Sequence, residues 1–169
     1  VLKGVGYATA MTGKWHLGDN PNFLPTRQGF DAYFGIPFSN DMNRTKLPLL
    51  IGEEISEINP DQALLTQRYT DFAIDFIEEN NDDKPFFLYL AHTMPHIPIY
   101  ASEKFKGTSK GSVYGDVIEE IDYNVGRLVQ TLKAKGQFEN TIIVYTSDNG
   151  PWLNFGSHAG TSGELRGGK

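Results

Sequence analysis

The stretch Thr141-Ile-Ile-Val-Tyr-Thr-Ser-Asp-Asn-Gly-Pro151 constrains the fold more than any other part of the chain. Thr141 to Tyr145 are apolar or β-branched and suit a buried strand. Gly150-Pro151 then forces a turn, so Asp148 and Asn149 are expected just past that strand's carboxyl end. In open α/β sheets ligands bind at this edge, because loops there converge on one crevice. A carboxylate beside an amide offers two hard oxygen donors, suited to Ca²⁺ or Mg²⁺ rather than zinc. A plain Asx turn would use the same two residues, so the assignment needs support from elsewhere.

Two further strand ends supply that support. Tyr7 to Thr12 are small, β-branched or aromatic, and Gly13 lets the backbone pass close to a neighbour. Lys14 and His16 straddle Trp15, so an extended backbone puts both side chains on one face. A cation and an imidazole together make an anion site; a solvated lysine and a structural histidine would explain the same residues. Phe86 to Ala91 read as another buried strand, followed by His92-Thr-Met-Pro-His96-Ile-Pro98. Pro95 and Pro98 exclude a helix, so His92 and His96 cannot form a helical zinc-binding pair. His96, fixed between two prolines just after a strand, is the functional candidate. Lys169 is a fourth polar group, presented on Gly167 and Gly168.

The remaining segments are scaffold. Asn59-Pro60 reads as an N-cap followed by proline at the first helical position. Leu65, Tyr69, Phe72, Phe76 and Ile77 then follow helical spacing. A second helix carries Val117, Ile121, Val125, Leu128 and Leu132, and Gly136 stops it. Its acidic residues, Asp116, Glu119, Glu120 and Asp122, lie near the N-terminal end, as the helix dipole prefers. Between the first strand and the first helix, residues 19–62 look irregular. They form a long functional loop pinned by Phe30, Tyr33, Phe34 and Phe38, with a short hairpin around Gly52. Helix–strand–helix–strand order implies an α/β fold: a mainly parallel or mixed sheet sandwiched by helices.

Charge and composition narrow the function. The net charge is −6, without a basic block or interleaved aromatics, which argues against a nucleic-acid partner. No apolar run approaches a membrane span. With no cysteine, a disulfide scaffold and a thiolate metal site are both excluded within these residues. Asn43-Arg44-Thr45 fits an N-glycosylation acceptor. A first residue of Val1, and a last stretch Leu165-Arg-Gly-Gly-Lys169 that stops in mid-motif, suggest a fragment of something longer. Gathered in one pocket, Lys14, Lys169, His16, His96 and an Asp148-Asn149 pair suit a tetrahedral oxyanion and a divalent cation. Cations stabilise charge developing on a transferred group, and a histidine can protonate a leaving alcohol. Spacing alone does not choose between sulfuryl and phosphoryl esters.

These residues carry a family resemblance. Gly6-Tyr-Ala-Thr-Ala-Met-Thr-Gly-Lys-Trp-His16 resembles the second sulfatase signature. Phe86 to Pro98 resembles the sulfatase strand that ends in the leaving-group histidine. Thr146 to Pro151 is similar to its calcium strand, and Leu165 to Lys169 to the loop with its second sulfate-binding lysine. Leu24 to Asp41 resembles the arylsulfatase A-like branch of this alkaline-phosphatase-like superfamily. The resemblance implies that Asp148 and Asn149 bind Ca²⁺, that Lys14 bridges nucleophile and sulfate, and that Lys169 holds a sulfate oxygen. It gives His16 a hydrogen bond to the nucleophile and a part in expelling the bound sulfate, and makes His96 the acid that protonates the leaving alcohol.

The family's nucleophile is a formylglycine made from a Cys/Ser-x-Pro-x-Arg motif, and that motif does not occur in this chain. The paired aspartates that complete the calcium site are absent too. Residues 1–169 are therefore expected to be a partial sulfatase catalytic domain, missing the N-terminal nucleophile segment and the smaller C-terminal subdomain, and inactive alone. The resemblance further implies a small-molecule or carbohydrate sulfate ester as substrate and a formylglycine-generating maturation enzyme. It also implies export to a periplasmic, extracellular or lysosomal location. Competing expectations are a phosphodiesterase or phosphonate monoester hydrolase of the same superfamily, or a sulfatase-like binding protein without catalysis.

Overall fold

The computed structural model describes residues 1–42, 46–80 and 84–169. The Asn43-Arg44-Thr45 tripeptide lies outside them. The small and β-branched run after Gly6 forms β1 (Ala8–Lys14), buried on both faces from Thr9 to Gly13. It pairs in parallel with β2 (Ala32–Ile36) on one side and β5 (Phe86–Ala91) on the other. β3 (Pro48–Ile51) and β4 (Glu54–Ile58) form an antiparallel hairpin about Gly52 (φ 61), and β3 lies antiparallel to β2. The sheet order is β4-β3-β2-β1-β5. This is the mixed sheet that the element order implies.

Side chains on the two sheet faces find different partners. On one face Phe34 and Ile36 pack with Leu49 against Leu65 and Tyr69 of α1 (Leu65–Glu79). Burying side chains of this size is worth about 1.5–3 kcal/mol each. On the other, Met11 and Tyr33 pack with Leu24 and Leu50, closed over by Trp15 and Phe30. Residues 15–30 thus make a lid of short turns, tied by Trp15 Nε1–H donating to the Phe23 carbonyl at 2.8 Å. The second long helix, α2 (Ser112–Ala134), packs Val117 and Ile121 against Met94, Ile99 and Ala101, and so braces the segment that follows β5.

Four sequence expectations change. Residues 19–62 contain a buried parallel strand, β2, as well as the hairpin; burial on both sides erases the alternation that would reveal it. The first helix has no side-chain cap of its own; Asp61 caps the 3₁₀ turn that leads into it, its carboxylate accepting from Ala63 N–H. Asn59 instead adopts a left-handed backbone (φ 56) and accepts from Leu47 N–H, closing the hairpin. Asp116 and Glu120, near the N-terminal end of α2, are buried and do more than complement the dipole. They accept backbone N–H groups of Gly107 and Ser109, and of Ser102, and hold the 102–109 loop to α2.

The largest correction falls on Thr141–Tyr145. These residues form no strand, and Ile142 is 93% and Val144 79% exposed. A strand is held by its ladder and by what covers its faces, and isolated extended segments are marginal in water. Among the described residues none pairs with this run. Among the described residues β5 has a partner on one side only, with Phe87 and Tyr89 partly exposed.

Candidate functional site

β1 delivers Lys14 to the carboxyl edge of the sheet, opposite Ile36 in register. Gly13 (φ 108) makes this possible, since a Cβ there would collide with the Ala91 carbonyl oxygen. The ends of β1 and β5 therefore run close together, and the residues after Ala91 lie beside Lys14. Burial pushes the Lys14 ammonium below its ordinary pKa, and Lys169 adds to this, while Asp148 and Asp41 oppose it. Lys14 is thus a partly desolvated cation within electrostatic reach of a second cation and of two carboxylates.

His96 follows a turn in which its N–H donates to the Thr93 carbonyl. Its Nε2 lies 2.9 Å from Lys169 Nζ, and its Nδ1 2.6 Å from the Ile97 carbonyl oxygen. An ammonium only donates and a carbonyl only accepts, so the imidazole is neutral with its proton on Nδ1. Burial lowers the His96 pKa, the Ile97 carbonyl raises it, Lys14 and Lys169 lower it, and Asp41 raises it, with a net fall. Lys169 arrives on glycines: its N–H donates to Pro151 O at 2.9 Å, and a Cβ on Gly150 would come within 3.0 Å of Gly168 Cα. Trp152 from the same crossing lies under Lys169 Nζ, 4.9 Å from the ring centre, and meets the His96 ring edge-on.

The other predicted site residues are placed less tightly. His16 lies past the end of β1 with a left-handed backbone (φ 60), exposed, its N–H donating to Pro37 O. The extended geometry that would align it with Lys14 stops one residue after Lys14, and no hydrogen bond among those described joins it to Lys14, His96 or Lys169. A non-glycine residue held at positive φ is uncommon and marks a constrained position. Asp148 and Asn149 are exposed and follow irregular chain rather than a strand. Asp148 is nonetheless close enough to raise the Lys14 pKa. Ca²⁺ takes six to eight oxygens. The pair fits a hard cation by donor type but is only part of a shell. No group of three or more His, Cys, Asp or Glu among the described residues could hold a metal.

Two residues at this edge were not singled out from sequence. Asp41 stands past the carboxyl end of β2 and is felt by both Lys14 and His96. Its signal was a position after a third parallel strand, hidden because β2 itself was not recognised. Trp152 stands in a Gly-, Ser- and Asn-rich stretch, 152–163, whose sequence reads as a flexible surface loop. His92, by contrast, is structural: both ring nitrogens are buried without a partner among the described residues, and burial pushes its pKa down to about 4.

The chain is similar to known proteins along most of its length. The family model described as Sulfatase matches residues 1–167. N-acetylgalactosamine-6-sulfatase of Mus musculus is 40% identical, the match covering 90% of this chain and 32% of that protein. Arylsulfatase A of Homo sapiens is 35% identical over all of this chain and 38% of that protein. The chain thus spans about a third of the length of these curated relatives. The crystal structure of PsFucS1 sulfatase from Pseudoalteromonas sp. superposes with a TM-score of 0.89 at 32% identity, over 99% of this chain and 40% of that one. The crystal structure of Ps i-CgsB in complex with k-i-k-neocarrahexaose is 31% identical with a TM-score of 0.73, over 88% and 39%.

Proposed function

The chain belongs to the sulfatase family, and on that premise we propose that the protein it forms part of hydrolyses sulfate esters. The observation that carries this is the meeting of Lys14, Lys169 and His96 at one sheet edge, with His96 Nε2 and Lys169 Nζ 2.9 Å apart. The reaction breaks the ester S–O bond with water and releases alcohol and sulfate. Lys14 and Lys169 bind the sulfate oxygens, where fixed cations stabilise charge better than water does. When an incoming sulfate draws the Lys169 N–H bonds to itself, Nε2 of His96 is freed to carry the proton that passes to the departing alcohol oxygen. His16 hydrogen-bonds the nucleophile from beyond the end of β1.

In this reading Asp148 and Asn149 would supply two of the oxygens for Ca²⁺, which would add positive charge beside the sulfate. The nucleophile is a formylglycine from a segment outside residues 1–169, installed by a formylglycine-generating enzyme. The domain would be completed by that segment and by a smaller C-terminal subdomain, and residues 1–169 alone would be inactive. A carbohydrate sulfate is the substrate class best supported, by the neocarrahexaose-bound relative and the N-acetylgalactosamine-6-sulfatases. By resemblance the protein is exported to a periplasmic, extracellular or lysosomal location. No helix among the described residues is long and apolar enough to cross a membrane.

The test is turnover of an aryl sulfate against the matched aryl phosphate by the full-length protein, with mass spectrometry for formylglycine. Sulfate release with formylglycine present is expected; turnover of the phosphate alone would replace this reading with phosphoester hydrolysis. Because His96 must be protonated to act, activity falls as pH rises through its pKa. Its pKa is held below the ordinary 6.5, so the basic limb of kcat/KM, which reports the free enzyme, is expected on the acidic side of that value.

A further inference from the structure

The segment leaving β2 contributes more to this edge than a turn. His16 N–H donates to Pro37 O, so the chain beyond β2 continues alongside the end of β1. Asn40 then donates through Nδ2 to Gln62 Oε1 at 2.9 Å and to Pro98 O at 3.1 Å. Pro98 is two residues past His96, so this amide fastens the exit of β2 directly to the His96 loop. Asn40 Oδ1 is buried without a partner among the described residues, a cost that a mere surface turn would not carry. The next residue is Asp41. Burial raises the Asp41 pKa, and the charges of His96 and Lys169, themselves in contact at 2.9 Å, are near enough to lower it.

The charge count around His96 gives this placement a role. Lys14 reaches it from β1, Lys169 from the glycine loop, and Asp41 from the exit of β2. Two lysines oppose any proton on the imidazole. Asp41 is the carboxylate among these facing groups that favours one. We propose that Asp41, held against the His96 loop by the Asn40 clamp, is a positioning residue whose negative charge lets His96 hold a proton between Lys14 and Lys169. Its catalytic consequence rests on the sulfatase reading above; its electrostatic consequence does not.

Asp41 is exposed and lies outside the hydrophobic core, so replacing it leaves the core packing unchanged. The experiment compares wild type, Asp41→Asn, Asp41→Glu and Asn40→Ala in the full-length protein, with ¹³C-labelled histidine followed by NMR against pH. In Asp41→Asn the His96 midpoint is expected to fall by about one unit. Asn40→Ala should lower it by less, and Asp41→Glu should restore it in part. A midpoint that is unchanged or raised in Asp41→Asn would overturn the inference. Kinetics provide the second readout. The basic limb of kcat/KM in Asp41→Asn should move down with the NMR midpoint. The loss should be larger for alkyl sulfates, which need an acid, than for nitrophenyl sulfate, whose leaving group departs unaided. A uniform loss for both esters with an unmoved limb would make Asp41 a binding or structural residue and overturn its role in keeping His96 protonated. Were wild type to hydrolyse no sulfate ester at all, the sulfatase reading would fail while the imidazole titration still decided the Asp41 inference.

Discussion

The ends of β1 and β5 and the stretch from Thr141 to Asn149 begin from the same kind of sequence: a short apolar run stopping in polar residues. One becomes a rigid platform and the other does not. β1 is flanked by a parallel strand on each side, and its Ala10, Met11 and Thr12 are fully buried. Thr141–Tyr145 has no ladder among the described residues and exposes its isoleucines and valine. The apolar pattern specifies that a segment wants covering; it does not supply the cover. In consequence Lys14 and His96 sit on fixed supports, whereas Asp148 and Asn149 are carried by an unsupported chain.

Substitutions on the two sides test that contrast. The largest effect is expected from Lys14→Ala in the full-length enzyme, where loss of a fixed cation should lower kcat by roughly 10²–10³-fold, or about 3–4 kcal/mol of transition-state stabilisation. Met11→Ala, in the buried centre of β1, should cost about 2–5 kcal/mol of stability by urea unfolding. His92 extends the contrast to pH. Its folded pKa of about 4 lies below the unfolded 6.5, so the folded state favours neutral imidazole. Its contribution is complete above pH 6.5 and is lost as pH falls toward 4. The loss over this window is about 3 kcal/mol, and His92→Phe should flatten the curve. Smallest of all, Ile142→Ala should change stability by less than about 0.5 kcal/mol in the chain of residues 1–169, as surface changes do. A cost there comparable with that of Met11→Ala would mean that the run is covered after all, and the contrast would collapse.

Much of the platform was legible because its signals are local. Helical spacing in α1 and α2, proline punctuation around His96 and the glycine before Lys14 each follow from short-range chemistry. What was missed depends on partners distant in sequence. β2 is hidden by burial on both faces, and with it went Asp41 and Asn40, whose roles depend on Pro98 and His96. Asn59-Pro60 resembles a helix start, but Asn59 serves Leu47 across the hairpin. Glu120 reads only as an acid near the N-terminal end of its helix, until Ser102 N–H is found 2.9 Å from its carboxylate.

The two lysines of the pocket are mounted differently. Lys14 ends a strand whose register with Ile36 fixes it, while Lys169 hangs from Gly167 and Gly168 with Pro151 O as its backbone tether. Together they behave like a caliper with one fixed jaw and one sliding jaw. On the proposed function, the fixed jaw would set where sulfur sits, and the loop-borne one would meet sulfates whose parent alcohols differ in bulk. Variation in substrate across such a family could then be accommodated by the loop that carries the sliding jaw, with the sheet beneath left unchanged.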